Sequence, residues 1–127
     1  MKKCYRLRKQ ADFGRVRQEG QSWASRLLVL AAAPNDLTHS RHGFSVSRRI
    51  GGAVARNRVR RWMREAMRER LNTIVGGWDM VWIARQSIQG ADFSAVERAV
   101  EQLLRRACLL KERHPSTGLS EPSCGTS

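Results

Sequence analysis

The chain has 127 residues, with 24 Lys or Arg against 11 Asp or Glu, and its formal net charge is +13. One domain with a single core fits this length, and so large a positive excess favours a polyanionic partner, above all the phosphates of a nucleic acid. Three widely spaced cysteines argue against a disulfide framework and a zinc site. The lack of a long apolar run argues against secretion and a membrane span, so we expect a cytoplasmic protein without a membrane partner.

The first predicted elements are a short helix and a long strand. In residues 12–19, Phe13 and Val16 fall on one side of a helix, and Arg15 is turned away from them. Residues 23–32 are mostly apolar and are bounded by turn-forming residues. This pattern predicts one long, mostly buried strand.

A second strand is predicted over residues 42–47, where apolar and polar side chains alternate. Phe44 and Val46 fall on one face, and Ser45 and Ser47 fall on the other, as in a strand with one face towards solvent. We expect this strand to pair with the preceding one.

A basic helix is predicted over residues 53–72, directly after a glycine pair. Nine arginines lie between positions 48 and 70, against only two glutamates. The apolar residues of this helix fall into one stripe that should face the sheet: Val59, Met63, Ala66, Met67 and Ile74.

The polar side of the basic helix is the strongest candidate for binding. At about 3.6 residues per turn, four residues fall one above another away from the apolar stripe. They are Asn57, Arg61, Arg64 and Arg68, with Arg60 beside them. Arginine suits bidentate contacts with phosphates. A solvated helix face is the alternative interpretation.

The remaining elements are a strand over residues 78–84 and a last helix capped by Asp92. Residues 112–127 offer nothing to pack, and we expect a disordered tail. The prediction is therefore one α/β domain over residues 1–111 that binds a nucleic acid, and the arginines alone do not distinguish DNA from RNA. It is an α+β two-layer sandwich, in which two longer helices cover one face of a small mixed sheet.

The other face of the sheet is the second candidate for binding. Phe13, Ser45, Ser47 and Arg85 are expected to line a cleft wide enough for one extended strand of nucleic acid. Aromatic stacking and backbone contacts would bind such a strand without strong sequence preference. Simple core packing is the alternative for Phe13.

These residues resemble the protein subunit of bacterial ribonuclease P. The signature of that family is an Arg-Asn-Arg helix entered from a Ser-Val-Ser strand and a basic pair. The chain matches it with Ser45-Val46-Ser47-Arg48-Arg49-Ile50-Gly51 and with Ala55-Arg56-Asn57-Arg58-Val59-Arg60-Arg61. Further agreement is found in Arg6-Leu7-Arg8 before Asp12-Phe13, in Arg26 and in Ile83-Ala84-Arg85, so the resemblance spans about residues 5–110.

The resemblance implies a fold and an activity. Three strands would precede the basic helix, and a left-handed crossover would lead to the last strand. A large catalytic RNA would remove the 5′ leader of precursor tRNA, while the protein holds the leader and supports the RNA. The protein would thus be a subunit of an endoribonuclease whose catalytic centre lies in the RNA. Mg²⁺ would be bound mainly by that RNA, with no organic cofactor and no obligate protein partner.

The resemblance also implies two sets of binding residues. The catalytic RNA would be bound by Arg48, Arg49, Arg56, Asn57, Arg58, Arg60, Arg61 and Arg64, and the row on the helix adds Arg68. The leader would be bound by Phe13, Ser45, Ser47 and Arg85, and we add Arg17 to this set because its guanidinium could stack on a base. Many relatives carry aromatic residues at the positions of Arg17 and Ala31, and often a lysine at Gln86. Leader binding here is therefore expected to depend more on charge than on stacking.

Three other functions compete with this interpretation. A ribosomal protein that binds ribosomal RNA without a processing role would have a similar composition and fold. A DNA-binding regulator would need a helix-turn-helix spacing and a dimerisation face, and the sequence shows neither. A membrane-surface protein would need a helix with a free apolar face. A self-contained active site is not predicted, because His39, His42 and His114 belong to no acid-base or metal-ligand pattern.

Overall fold

A computed structural model of the chain describes residues 5–111. Within them, the helices and strands follow in the order α1 (Gln10–Glu19), β1 (Gln21–Ala24), β2 (Leu28–Pro34), β3 (Arg41–Ser45), α2 (Ala53–Arg68), β4 (Trp78–Ala84) and α3 (Phe93–Arg106). The predicted α+β class is confirmed, and three strands precede α2 as the family resemblance implies. The predicted tail over residues 112–127 lies outside the described residues.

The single strand predicted over residues 23–32 is wrong, because the chain reverses direction within it. β1 and β2 pair antiparallel, with Ala24 opposite Val29. Ser25 closes the turn, since its backbone N–H and its hydroxyl donate to the carbonyl oxygen of Leu28 at 2.8 and 3.2 Å. No glycine or proline marks this turn, so composition carried no signal for it.

β4 lies inside the sheet, whose order is β1-β2-β4-β3. It pairs antiparallel with β2 and parallel with β3. The expectation that β3 pairs with β2 is therefore wrong. α2 connects the adjacent parallel strands β3 and β4, and the left-handed sense of this crossover remains a prediction from the resemblance. β4 is mostly buried, and partners on both edges satisfy its backbone groups.

Two clusters of apolar side chains hold the layers together. The larger cluster joins the sheet to α2 and α3 and contains the predicted stripe of α2. The smaller cluster joins the other face to α1 and consists of Leu7, Val16, Ala31, Ala33 and Val81, with Phe13 and Ile83 partly buried against it. The two longer helices thus cover one face, as predicted, and α1 covers part of the other.

α2 ends at Arg68, before the predicted end at residue 72. Just after this end, Nη1 of Arg70 donates to the carbonyl oxygen of Ala66 at 3.0 Å, and its guanidinium pairs with Glu97 and Glu101 of α3 at 3.4 and 3.0 Å. The end of α2 is therefore attached to a helix distant in sequence. By contrast, the predicted cap of α3 is confirmed, because Asp92 accepts a hydrogen bond from the N–H of Ala95 at 2.9 Å.

Another side chain differs from what composition suggests. His42 of β3 is 2% exposed, and burial lowers its pKa to about 4, so the imidazole is neutral near pH 7. The expectation for the cysteines involves Cys4 and Cys124, which lie outside the described residues, so it stays a prediction. None of the helices in the described part of the chain is long and apolar enough to cross a membrane.

Candidate nucleic-acid interface

The predicted row of polar residues lies on the solvent side of α2, opposite the buried stripe. We define the α2 arginine face as Asn57, Arg58, Arg60, Arg61, Arg64 and Arg68. Arg60 and Arg64 are half-buried, and the other four residues are exposed. The structure therefore brings most of the predicted set for the catalytic RNA onto one surface.

Only part of the charge on the α2 arginine face is neutralised within the protein. Arg68 pairs with Glu65 at 2.7 Å, and Arg60 donates to the side-chain oxygen of Asn57 at 3.2 Å. Among residues 5–111, neither Arg61 nor Arg64 has a carboxylate within ion-pair distance. Like charges at this spacing destabilise a helix. An anionic partner would relieve that repulsion.

Arg61 and Arg64 line an open groove of about 460 Å³, together with Val54, Asn57 and Arg58. The groove runs along α2 from its first turn to Arg64, and the residue before the helix makes no side-chain cap. The partial positive charge of the helix N-terminus therefore adds to the positive potential at the Val54 end of the groove. The groove has the size and charge to receive phosphate groups of a nucleic-acid backbone.

The basic pair Arg48 and Arg49 is exposed in a short 3-10 turn before α2. Ser47 begins this turn by accepting a hydrogen bond from the N–H of Arg49 at 3.3 Å. Gly51 follows with φ at 149°, a conformation that favours glycine, and its carbonyl accepts from Nε of Arg56 at 3.2 Å. Arg56 therefore points back to this joint, apart from the α2 arginine face.

The predicted leader cleft begins where α1 crosses the sheet. The ring of Phe13 lies against Gly43 of β3, where an added Cβ would be 2.4 Å from Cζ of the ring. Phe13 is half-buried, so it both packs on the sheet and retains exposed surface. Ser45 lies two residues further along the same face of β3, and Arg17 is exposed one turn after Phe13. We call Phe13, Arg17, Ser45, Ser47 and Arg85 the sheet cleft.

Ser47 and Arg85 meet at the carboxyl ends of β3 and β4. They line an open pocket of about 460 Å³ together with Arg49 and Gln86. Arg85 is exposed, and its Nη1 donates to the carbonyl oxygen of Ser25 at 2.9 Å. Arg49, from the set predicted for the catalytic RNA, therefore lies beside Ser47 and Arg85 of the leader set. The sequence already places Ser47 next to the basic pair, and the fold adds Arg85 and Gln86.

Ala31, where many relatives are expected to carry an aromatic residue, is 3% exposed. It belongs to the smaller apolar cluster beneath α1. In this chain that position therefore supports the helix and offers no surface for stacking.

Sequence reasoning missed a polar cluster under α1. Asp79 of β4 has no exposed surface and accepts hydrogen bonds from Arg15, Arg41 and Asn35. The expectation that Arg15 is turned away from the core is therefore wrong. A signal was available, because Asp79 is a lone carboxylate in an apolar strand and buried carboxylates need cationic partners.

Comparison with known sequences identifies one family. A family model described as Ribonuclease P matches residues 1–108. The ribonuclease P protein component of Roseiflexus castenholzii is 47% identical over 108 residues, which cover 84% of this chain and 88% of the relative. That of Chloroflexus aurantiacus is 47% identical over 111 residues, which cover 87% of this chain and 82% of the relative.

Solved structures agree with the sequence comparison. The ribonuclease P protein of Staphylococcus aureus has a TM-score of 0.79 at 33% identity, with coverage of 84% of this chain and 98% of that one. The protein of Thermotoga maritima has a TM-score of 0.74 at 34% identity, with coverage of 80% and 96%. The similarity therefore includes most of the fold as well as the basic segment.

Proposed function

This chain belongs to the ribonuclease P protein family and is a protein subunit of that endoribonuclease, and from this premise we propose which of its surfaces meets which RNA. Membership of the family implies association with the ribonuclease P RNA. The ribosomal alternative is not favoured, because the relatives are ribonuclease P components. In our proposal the α2 arginine face binds the catalytic RNA, and the sheet cleft binds the 5′ leader of precursor tRNA.

The observation that carries the proposal is the charge of Arg61 and Arg64, which have no carboxylate within ion-pair distance among residues 5–111 and which line an open groove on α2. A folded RNA presents phosphates at close spacing, and guanidinium groups bind phosphates bidentately. This binding releases the counterions that were associated with the RNA. Arg58 lies over the ring of Trp62 at 5.5 Å, which restricts the orientation of its guanidinium. These features support docking of the helix on a structured RNA.

Leader binding is supported by the position of Arg49, a member of the set predicted for the catalytic RNA, in one pocket with Ser47 and Arg85 of the sheet cleft. A single strand that leaves the RNA-bound side would meet the pocket of Ser47 and Arg85 first and then follow the sheet face towards Phe13. Stacking on an aromatic ring and contacts with basic side chains bind single strands without strong sequence preference. That property suits leaders of differing sequence.

We place cleavage of the phosphodiester bond in the catalytic RNA, with Mg²⁺ bound mainly by that RNA. In the described residues, no three His, Cys, Asp or Glu side chains are close enough together to hold a metal ion. The protein's part is then to neutralise phosphate repulsion where RNA and substrate meet, which matters most when Mg²⁺ is scarce. The same proposal locates the complex in the cytoplasm.

A reconstituted processing assay at low Mg²⁺ tests the proposal. The protein should accelerate leader removal by a bacterial catalytic RNA and should not cleave precursor tRNA alone. The double variant Arg61→Ala/Arg64→Ala should lose most of the acceleration, whereas Arg98→Ala, an exposed arginine on α3, should keep it. Cleavage by the protein alone, or an RNA rate unaffected by the protein, would contradict the proposal.

A further inference from the structure

α1 is weakly attached by apolar contacts. Val16 is its only fully buried residue, and the residue before the helix makes no side-chain cap. A helix of ten residues is marginal by itself. The cluster beneath it consists of Leu7, Val16, Val81 and two alanines, with Phe13 and Ile83 partly buried against it, so α1 contributes only Val16 and Phe13 to the cluster. A polar interaction adds a second kind of attachment.

Asp79 supplies that interaction from the centre of the sheet. Its carboxylate accepts from Nε and Nη2 of Arg41 at 2.9 and 2.7 Å, from Nδ2 of Asn35 at 2.8 Å, and from Nη2 of Arg15. Burial by itself would raise the pKa of Asp79, but the hydrogen bonds from Arg41 and Asn35 outweigh burial and hold the pKa below its usual range. The carboxylate is therefore charged near neutral pH, and it joins α1, β3 and the loop before β3.

We infer that Asp79 is a positioning residue for leader binding, which acts through Arg15 to hold α1 over the sheet cleft. This inference rests on the proposed role of the cleft. Arg15 lies between Phe13 and Arg17, the two residues that α1 contributes to the cleft. α1 is thus fixed at two points, by the ring of Phe13 on Gly43 and by the guanidinium of Arg15 on Asp79.

The network allows the link to α1 to be removed without leaving a charge buried and unpaired. If Arg15 is replaced, Asp79 keeps its hydrogen bonds with Arg41 and Asn35. The side chain of Arg15 is 30% exposed, and the variant removes the cation itself, so no cation is left buried without a partner. Arg15→Met should therefore fold and release α1 selectively.

The test compares Arg15→Met with Arg98→Met, which removes the same charge from the exposed side of α3. In the reconstituted holoenzyme, Arg15→Met should weaken binding of leader-bearing precursor tRNA by about three- to tenfold, part of the roughly 5- to 150-fold expected for full loss of a stacked base. Binding of mature tRNA should stay unchanged, and Arg98→Met should change neither. The salt dependence of leader binding should also stay unchanged, because a positioning residue touches no phosphate.

Two further variants separate positioning from direct contact. If Arg15 acts by placing Phe13, Arg15→Met should have almost no additional effect on leader binding in a Phe13→Ala background. Asp79→Asn should weaken leader binding. If Arg15 instead met a phosphate directly, Asp79→Asn would free its guanidinium and strengthen leader binding.

The inference is overturned if Arg15→Met leaves leader affinity unchanged, weakens both tRNA forms equally, or lowers the salt slope by about 0.7 of a unit, the value for one phosphate on a single strand. Phe13→Ala distinguishes this failure from failure of the proposed function. If Phe13→Ala reduces leader preference and Arg15→Met does not, the assignment of the cleft to leader binding is retained and the positioning role is rejected. If neither variant changes leader preference, the assignment of the cleft itself is wrong.

Discussion

The α2 arginine face and the sheet cleft are built in different ways. All residues of the arginine face lie on one helix, between positions 57 and 68, above the larger apolar cluster. The cleft takes its residues from α1, from β3 and the turn after it, and from the end of β4, and α1 rests on the smaller cluster. One surface follows from a local repeat, and the other requires the whole sheet.

This difference predicts different sensitivities. A charged surface on a well-packed helix should lose affinity in small steps, one arginine at a time. A cleft between a short helix and a sheet should respond to changes that move the helix, even when those changes touch no RNA. Four predictions test this contrast, in order of decreasing expected effect.

The largest effect is expected from Leu104→Ala, because Leu104 is completely buried in the larger cluster. The variant should reduce the free energy of unfolding by about 2 to 5 kcal/mol. Val16→Ala removes buried methyl groups from the smaller cluster and should cost about 1 to 2 kcal/mol. Urea denaturation measures both, and hydrogen exchange should show that Val16→Ala loosens α1 more than α3. Equal costs and a uniform loss of protection would contradict the contrast.

Acid should weaken the sheet that both surfaces share. His42 has a pKa of about 4 in the folded protein, against an ordinary value of 6.5, because it is buried. Between these values the unfolded chain binds more protons, so the free energy of unfolding should fall by about 3 kcal/mol as the pH drops from about 6.5 to about 4. Below about pH 4 this residue should contribute no further loss.

The control for the pH experiment is His42→Val. This variant removes the titrating group and places an apolar, strand-forming residue at the buried position. Denaturation of this variant should depend much less on pH over the same range, with a residual loss from Glu101, whose pKa is lowered by its hydrogen bonds with Arg105 and Arg70. The pKa of Asp79 is also lowered, but from 3.8, so its contribution is lost at lower pH. A variant that loses stability as the wild type does would show that His42 is not responsible.

Phe13→Ala should reduce the affinity for leader-bearing precursor tRNA by about 1 to 3 kcal/mol, the value of one stacked base. Affinity for mature tRNA and for the catalytic RNA should change little, because the α2 arginine face remains intact. Competition binding to the holoenzyme with both tRNA forms measures the difference. Equal losses for the two forms would assign Phe13 to core packing.

The smallest effect is expected from Arg61→Ala. Loss of one phosphate contact should reduce the slope of log affinity against log salt concentration by about 0.7 to 0.9 of a unit for the catalytic RNA. Arg98→Ala provides the matched control, since it removes one exposed arginine from α3. An unchanged slope for Arg61→Ala would place this side chain in solvent.

Several features could be predicted from the sequence because they depend on neighbours within a few residues. The row from Asn57 to Arg68 follows from the helical repeat, and Asp92 caps α3 through a residue three positions later. β4 has its predicted bounds of 78–84, because its apolar run is short and clearly delimited. In each case, the interaction that defines the feature is local.

Other features required contacts between residues far apart in the chain. The turn at Ser25 forms together with the antiparallel pairing of β1 and β2. α2 ends just before Arg70, which forms ion pairs with α3. β4 separates β3 from β2 because its backbone finds partners on both edges. No periodic pattern in the sequence predicts these features, because each depends on how whole helices and strands pack against one another.

The sequence by itself determined that this protein carries a ridge of arginines on an amphipathic helix, together with the motif of its family. Only the tertiary structure decided that Arg85 lines one pocket with Ser47 and Arg49 and that Asp79 ties α1 to the sheet. The physical reason is the range of the interactions. Helical spacing places charges by local geometry. A buried carboxylate, by contrast, is paired with cations that come close to it only when distant parts of the chain fold together.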